Sequence, residues 1–278
     1  MSRRLRPWWV ALSGVWFALT ALRANAAEPV DVQLVLAVDV SLSMSAAELE
    51  IQRHGYAAAL THKTVLQAIA DGANGRIAVT YVEWAGTTMQ RVVVPWTTIA
   101  TREDAERVVA QMSARPPSSA RRTSISAALE FGGDLFAESG FQSARRVIDI
   151  SGDGPNNQGA PVAGIRDELI GQGITINGLP LMTRGGFSSI YDVADLDRYY
   201  GDCVIGGPGA FMVPVNDWMQ FPEAVRRKLV MELAGEPRRA AEAARAPPVM
   251  LAAAEPGVDC MIGEKMWRDR RWLYDNDR

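Results

Sequence analysis

The sequence predicts an α/β domain, built as a mainly parallel, doubly wound sheet of six strands with helices on both faces. Three observations predict it. Short apolar runs recur at 32–38, 76–85, 89–99, 145–151, 174–182 and 209–215. Stretches with helical periodicity lie between most of them. The first run, VQLVLAV, is almost continuously apolar, as in a central strand covered on both sides. A chain of 278 residues, 48% hydrophobic and 22% charged, carries enough apolar mass for one sizeable core or at most two domains.

Residues 1–26 begin with Arg3, Arg4 and Arg6, continue as PWWVALSGVWFALTAL and end in Ala24-Asn25-Ala26. This is the pattern of a secretory signal peptide cut near Ala26. The alternative is an uncleaved anchor, but the apolar run is short for a bilayer span. Cleavage would remove four Arg and no acid. That leaves 25 Lys and Arg against 32 Asp and Glu, a formal charge of −7. Such a balance does not suit nucleic acid, and no basic aromatic surface stands out. The expected location is the periplasm or the cell exterior, with no membrane span after cleavage.

The main domain is expected over 31–235. Helical pattern follows the first strand from Ala46 to about Ile69, with Ser45 and Glu48 spaced as a capping box. DGANG at 71–75 breaks it. The second strand is RIAVTYVEWA; the third, MQRVVVPWTTI, belongs at an edge because Pro95 cannot donate. A helix at 101–112, a loop at 113–122 and a helix at 124–139 lead to the fourth strand, RRVIDIS. After GDGPNNQG come a helix near 161–171, a fifth strand (ITINGLPLM), a polar loop with a short helix near 190–199, and a sixth strand, GAFMVPV. A helix within 217–235 closes the domain. Residues 236–257 read as an Ala/Pro/Arg-rich linker. Residues 258–278 regain Trp267, Trp272 and Tyr274 and read as a tail packed back on the domain.

The chain holds two cysteines, Cys203 and Cys260. In an oxidising compartment they form one disulfide; otherwise they are a pair of unrelated buried thiols.

The candidate site lies where the first strand ends, in DVSLS. Ligands of open α/β sheets bind beyond the carboxyl ends of the strands. Ser45 serves the helix cap, which leaves Asp39, Ser41 and Ser43 as short oxygen donors on the loop. Hard cations such as Mg²⁺ take oxygen donors of this kind and keep several waters. A hydroxyl at the start of another helix, Thr123, and an acid after another strand, Asp153, complete such a set. Asp149 competes with Asp153 but stands too early in its strand to reach the edge. Its expected role is a buried polar pair or a helix contact.

This three-segment arrangement resembles the von Willebrand factor type A (vWA) domain and its metal-ion-dependent adhesion site (MIDAS), over about 31–235. RTSISAAL, VIDISGDGPNN, DCVIGGPGAF and AVRRKLVMELAG resemble, more narrowly, a group of exported bacterial vWA-like proteins of undetermined role. The resemblance implies a Rossmann-like fold and direct ligation by Ser41, Ser43 and Thr123. Asp39 and Asp153 would act largely through waters. The metal would be Mg²⁺, or Mn²⁺ or Ca²⁺, with one position open to an acidic side chain of a protein ligand. Two departures stand out. Arg121-Arg122 replaces the family's frequent Gly-Gly, and Gly152 replaces its usual Thr or Ser before the last Asp.

Other classes fit less well. A dehalogenase-type phosphatase needs a second Asp where Ser41 stands. A serine nucleophile needs a base, yet His54 and His62 both fall within the first helical stretch, and no G-x-S-x-G occurs. The sequence therefore points to an exported, metal-dependent protein-binding module rather than an enzyme. A metal-dependent hydrolase and a structural domain with a vestigial metal site are the alternatives.

Overall fold

The computed structural model describes residues 27–183, 193, 195–234 and 257–275, with side chains of the last helix described through residue 269. The expected signal peptide, most of the expected linker and the start of the 190–199 segment lie outside the described residues.

Strand β1 (Glu28–Pro29) pairs in parallel with β5 (Phe141–Gln142) as a small separate sheet. The main sheet contains β2 (Gln33–Asp39), β3 (Ile77–Trp84), β4 (Gln90–Ile99), β6 (Arg146–Gly152) and β7 (Ile174–Pro180). Its order is β4-β3-β2-β6-β7. All pairs are parallel except β3 with β4, so the Pro95 strand is the antiparallel edge. The predominantly apolar β2 lies at the centre, with every residue buried.

The sheet has five strands rather than six. The 209–215 segment runs beside β7 and keeps one register, but makes only isolated parallel bridges, Gly178 with Met212 and Leu181 with Val215. The bonds Gly178 N→Phe211 O (3.0 Å), Val213 N→Gly178 O (3.1 Å), Val215 N→Pro180 O (2.9 Å) and Met182 N→Val215 O (2.7 Å) hold it. The rung between them would need an N–H at position 180, and Pro180 has none.

Side-chain alternation divides the core in two. Leu34, Leu36 and Val38 of β2 point into one cluster, Val35 and Ala37 into the other. The first cluster takes in α1 (Ala46–Leu60), α2 (Lys63–Ala70), α3 (Arg102–Ser113) and α7 (Phe221–Leu233). The second takes in α4 (Ile125–Leu135), α5 (Val162–Gly171) and α6 (Leu196–Tyr199). The 46–69 helical stretch is split. Thr61 caps the end of α1, and the His62 ring caps α2 by accepting from Thr64 N at 3.2 Å. His54 is exposed on α1.

Asp149 lies in β6, facing α7. Its Oδ1 is 2.6 Å from Lys228 Nζ, which lies 2.5 Å from Glu232 Oε1. Asn177 Nδ2 donates to that same Glu232 oxygen at 3.0 Å. All four residues are buried. Asp149 is thus the buried helix contact expected from its position, and Lys228 is its partner.

Candidate metal centre

The site grows from the carboxyl ends of β2 and β6. Asp39 is fully buried as the last residue of β2. Its Oδ1 accepts from Ser41 N at 2.7 Å, which turns the chain out of the sheet. Gln52 of α1 donates to the Asp39 carbonyl at 2.8 Å and fixes the strand end against the helix. Met44 N closes a turn on Ser41 O at 3.1 Å. Ser45 and Glu48 then form the expected capping box.

Within this turn Ser41 Oγ and Ser43 Oγ are 2.7 Å apart, and Ser43 Oγ donates to Asp153 Oδ1 at 2.8 Å. Four of the five candidates, Asp39, Ser41, Ser43 and Asp153, therefore form one polar chain across two strand ends. Thr123 joins through its backbone. Asn157 Oδ1 accepts from Thr123 N at 3.1 Å, and Asn157 N donates to Thr123 O at 2.9 Å, so the loop after β6 grips the Thr123 loop from both sides. The same loop is stitched to the Ser41 turn by Leu42 N→Ala120 O (2.9 Å) and Ala120 N→Val40 O (3.2 Å). Thr123 is 5% exposed. Among the described residues its hydroxyl has no hydrogen bond to the other four.

Glu83 supports the Thr123 loop from beneath. This buried carboxylate at the end of β3 receives Arg53 at 2.5 Å, Arg91 at 2.7 Å and Ser118 N at 3.0 Å. Arg53 also donates to the Arg115 carbonyl.

The electrostatics leave Asp39 short of positive charge. Burial, and next the Asp153 carboxylate, push its proton affinity well above the ordinary carboxylate range; hydrogen bonding by Ser41 and by the Asp153 backbone opposes this. Asp39 Oδ2 is buried without a hydrogen-bond partner. A divalent cation with its bound waters suits these features, since it would offset the repulsion between the two carboxylates and give the orphaned Asp39 oxygen a donor. Among the described residues no three or more His, Cys, Asp or Glu are grouped so as to hold a metal ion by themselves. The donor set is hydroxyl and carboxylate oxygen, which favours hard cations.

Position 152 has a steric explanation. A Cβ on Gly152 would fall 2.8 Å from Tyr200 Oη, 3.0 Å from Asp39 Oδ2 and 3.3 Å from Trp84 Cζ2. A tyrosine hydroxyl from a distant segment fills the space a Thr or Ser side chain would need. Burial pushes Tyr200 well above its ordinary range, with Asp39 and Asp153 adding to the shift. Trp84 is fully buried and packs beside Gly152.

Arg122 adopts φ +79°, in the left-handed region where glycine is at ease. Its guanidinium lies 3.1 Å from the centroid of the Trp267 ring. Sequence reasoning missed Tyr200, Asn156 and Asn157. The polar run PNNQG after Asp153 offered a signal for the two asparagines; Tyr200 had none nearby.

Cys203 and Cys260 are disulfide-bonded, with Cα atoms 5.5 Å apart.

A family model described as "Protein of unknown function (DUF1194)" matches residues 29–237. No curated protein matches the chain. Among solved structures, the pilus adhesin SpaC from Lactobacillus rhamnosus GG superposes with a TM-score of 0.53 at 10% identity, covering 73% of this chain and 31% of that one. Proximal thread matrix protein 1 from the mussel byssus superposes at 0.51 with 15% identity, covering 74% and 48%. The chain thus spans about a third and about half of those proteins. A von Willebrand factor type A protein from Catenulispora acidiphila gives 0.46 at 17% identity, covering 73% and 43%. At these identities the likeness is one of fold alone.

Proposed function

The chain belongs to the DUF1194 family, and from that premise we propose that it is an exported, metal-dependent protein-binding module. The reading is carried by one observation: the buried, orphaned Asp39 Oδ2 beside Asp153, within a connected set of short oxygen side chains. Ser41, Ser43 and Thr123 would hold the cation directly, with Asp39 and Asp153 acting through waters. Mg²⁺, Mn²⁺ or Ca²⁺ fits such donors. When bound, the ion offers a Lewis-acidic seat for an acidic side chain of a partner, because neutral hydroxyl ligands leave its charge largely uncompensated. The chain's own contribution is to hold the three loops together and to bury the Asp39 carboxylate at their base.

Two proteins that share the fold are named as a pilus adhesin and a thread matrix protein, which agrees with a binding role. The disulfide agrees with export, since such bonds persist in oxidising compartments. Among the described residues no helix is long and apolar enough to cross a membrane.

The test is calorimetric titration of the purified protein with Mg²⁺, Mn²⁺ and Ca²⁺, together with the Asp39→Asn variant. One cation should bind and raise the melting temperature, and Asp39→Asn should lose at least tenfold in affinity. No binding by the wild type would leave a structural domain with a vestigial site. Metal-dependent turnover of phosphate or acyl esters would replace the binding module with a hydrolase.

A further inference from the structure

The matched family region ends at residue 237, yet the C-terminal helix (Ile262–Asp275) reaches back to the candidate site. It touches both loops that carry the distal ligands. On the Asp153 side its backbone lies flat on the chain: a Cβ on Gly263 would come 2.0 Å from Asn156 O and 3.1 Å from Pro155 Cγ. Glu264 Oε1 accepts from Asn156 Nδ2 at 2.7 Å. Asn156 is fully buried, and its Oδ1 accepts from Ser126 N at 3.0 Å, at the start of α4. On the Thr123 side Trp267 lies under the Arg122 guanidinium. Arg122 directly precedes Thr123 and is the one non-glycine residue with positive φ among the described residues. The helix is fastened just before its first turn by Cys260 to Cys203.

These contacts have a common mechanical effect. Glu264 and Trp267 are three residues apart on a helix, so they share a face and a fixed separation. One grips the loop after Asp153, the other the residue before Thr123. A left-handed conformation for arginine is unfavourable alone, and a cation–π stack is of the same order in the opposite sense. Resting on the metal-site reading above, we propose that the disulfide-tethered C-terminal helix is a clamp that fixes the Thr123 loop relative to the Asp153 loop. Trp267 is its positioning residue, and the clamp sets the affinity of the site for its cation.

Amide hydrogen exchange of the metal-free full chain, and Mn²⁺ titration followed by EPR, should be compared for wild type, Trp267→Ala and Trp267→Phe. Trp267→Ala should speed exchange over 121–126 and 153–158 and raise the Mn²⁺ Kd about fivefold or more, while Trp267→Phe, which keeps an aromatic face, restores both. Unchanged exchange in Trp267→Ala overturns the clamp whatever the metal does. Faster exchange with an unchanged Kd overturns Trp267 as a positioning residue. If the wild type binds no Mn²⁺, the metal-site reading fails, and exchange alone decides whether the helix clamps the loops.

Discussion

Gly152 shows how one residue can depend on a segment far along the chain. The hydroxyl of Tyr200, nearly fifty residues on, stands where a side chain at 152 would go. Gly152→Ala should cost about 1–3 kcal/mol, the usual cost of overpacking a rigid interior, read as a lower urea midpoint in metal-free protein. Tyr200→Phe should recover part of that loss, because it removes the nearest clashing atom and a buried hydroxyl with no hydrogen-bond partner. Additive losses in the double variant would mean that the two positions do not meet. At this scale Asp39, Ser41, Ser43 and Asp153 could be grouped from the sequence because Ser45 already serves the helix cap and leaves the others as short oxygen side chains at strand ends, and the structure joins them in one polar chain. Tyr200 was illegible because nothing within its own segment encodes which strand end it will fill.

Between elements, the contact of β6 with α7 buries two acids and one base. Asp149, Glu232 and Lys228 all lie at 1% exposure or less. Burial first, and then the Glu232 charge, raise the Asp149 pKa from its ordinary 3.8 to about 7, against the opposing pull of Lys228. The folded protein thus keeps a proton on Asp149 that the unfolded chain has already released. This contribution to stability is full below about pH 4 and is lost as the pH rises through about 7. Asp149→Asn should flatten the pH dependence of unfolding free energy between pH 4 and 7, leaving Lys228 paired with Glu232. Denaturant titrations at several pH values would check this, and an unaltered slope would remove Asp149 as its source. The order and type of most elements were readable from apolar runs and caps. Two elements differed for reasons that pattern does not reveal. The sixth strand is interrupted by a proline in its neighbour, not in itself. The long first helix is divided at His62, whose ring nitrogen acts as a cap that its residue type seldom advertises.

For the whole molecule, the disulfide joins residues separated by 57 positions. A loop of that length predicts stabilisation on the order of 4 kcal/mol in the chain-entropy account. Reduction, or the Cys203→Ser/Cys260→Ser pair, should lower the unfolding midpoint accordingly. An equal midpoint with and without reductant would mean that the bond restrains nothing the unfolded chain explores. The α/β class was legible because period and length of the apolar segments agree along the domain. The docking of the C-terminal helix on the loops was not, because its contacts pair a glycine, a glutamate and a tryptophan with residues more than a hundred positions earlier.

Pro95 lies in the antiparallel border strand, and Pro214 in the segment running outside β7. Both flanks of the sheet therefore offer an incomplete row of amide donors to any stray polypeptide. A second molecule attempting to extend the sheet would meet a gap on either side. Concentrated solutions of the folded chain should accordingly resist fibrillar self-association even though the sheet's interior strands are strongly apolar.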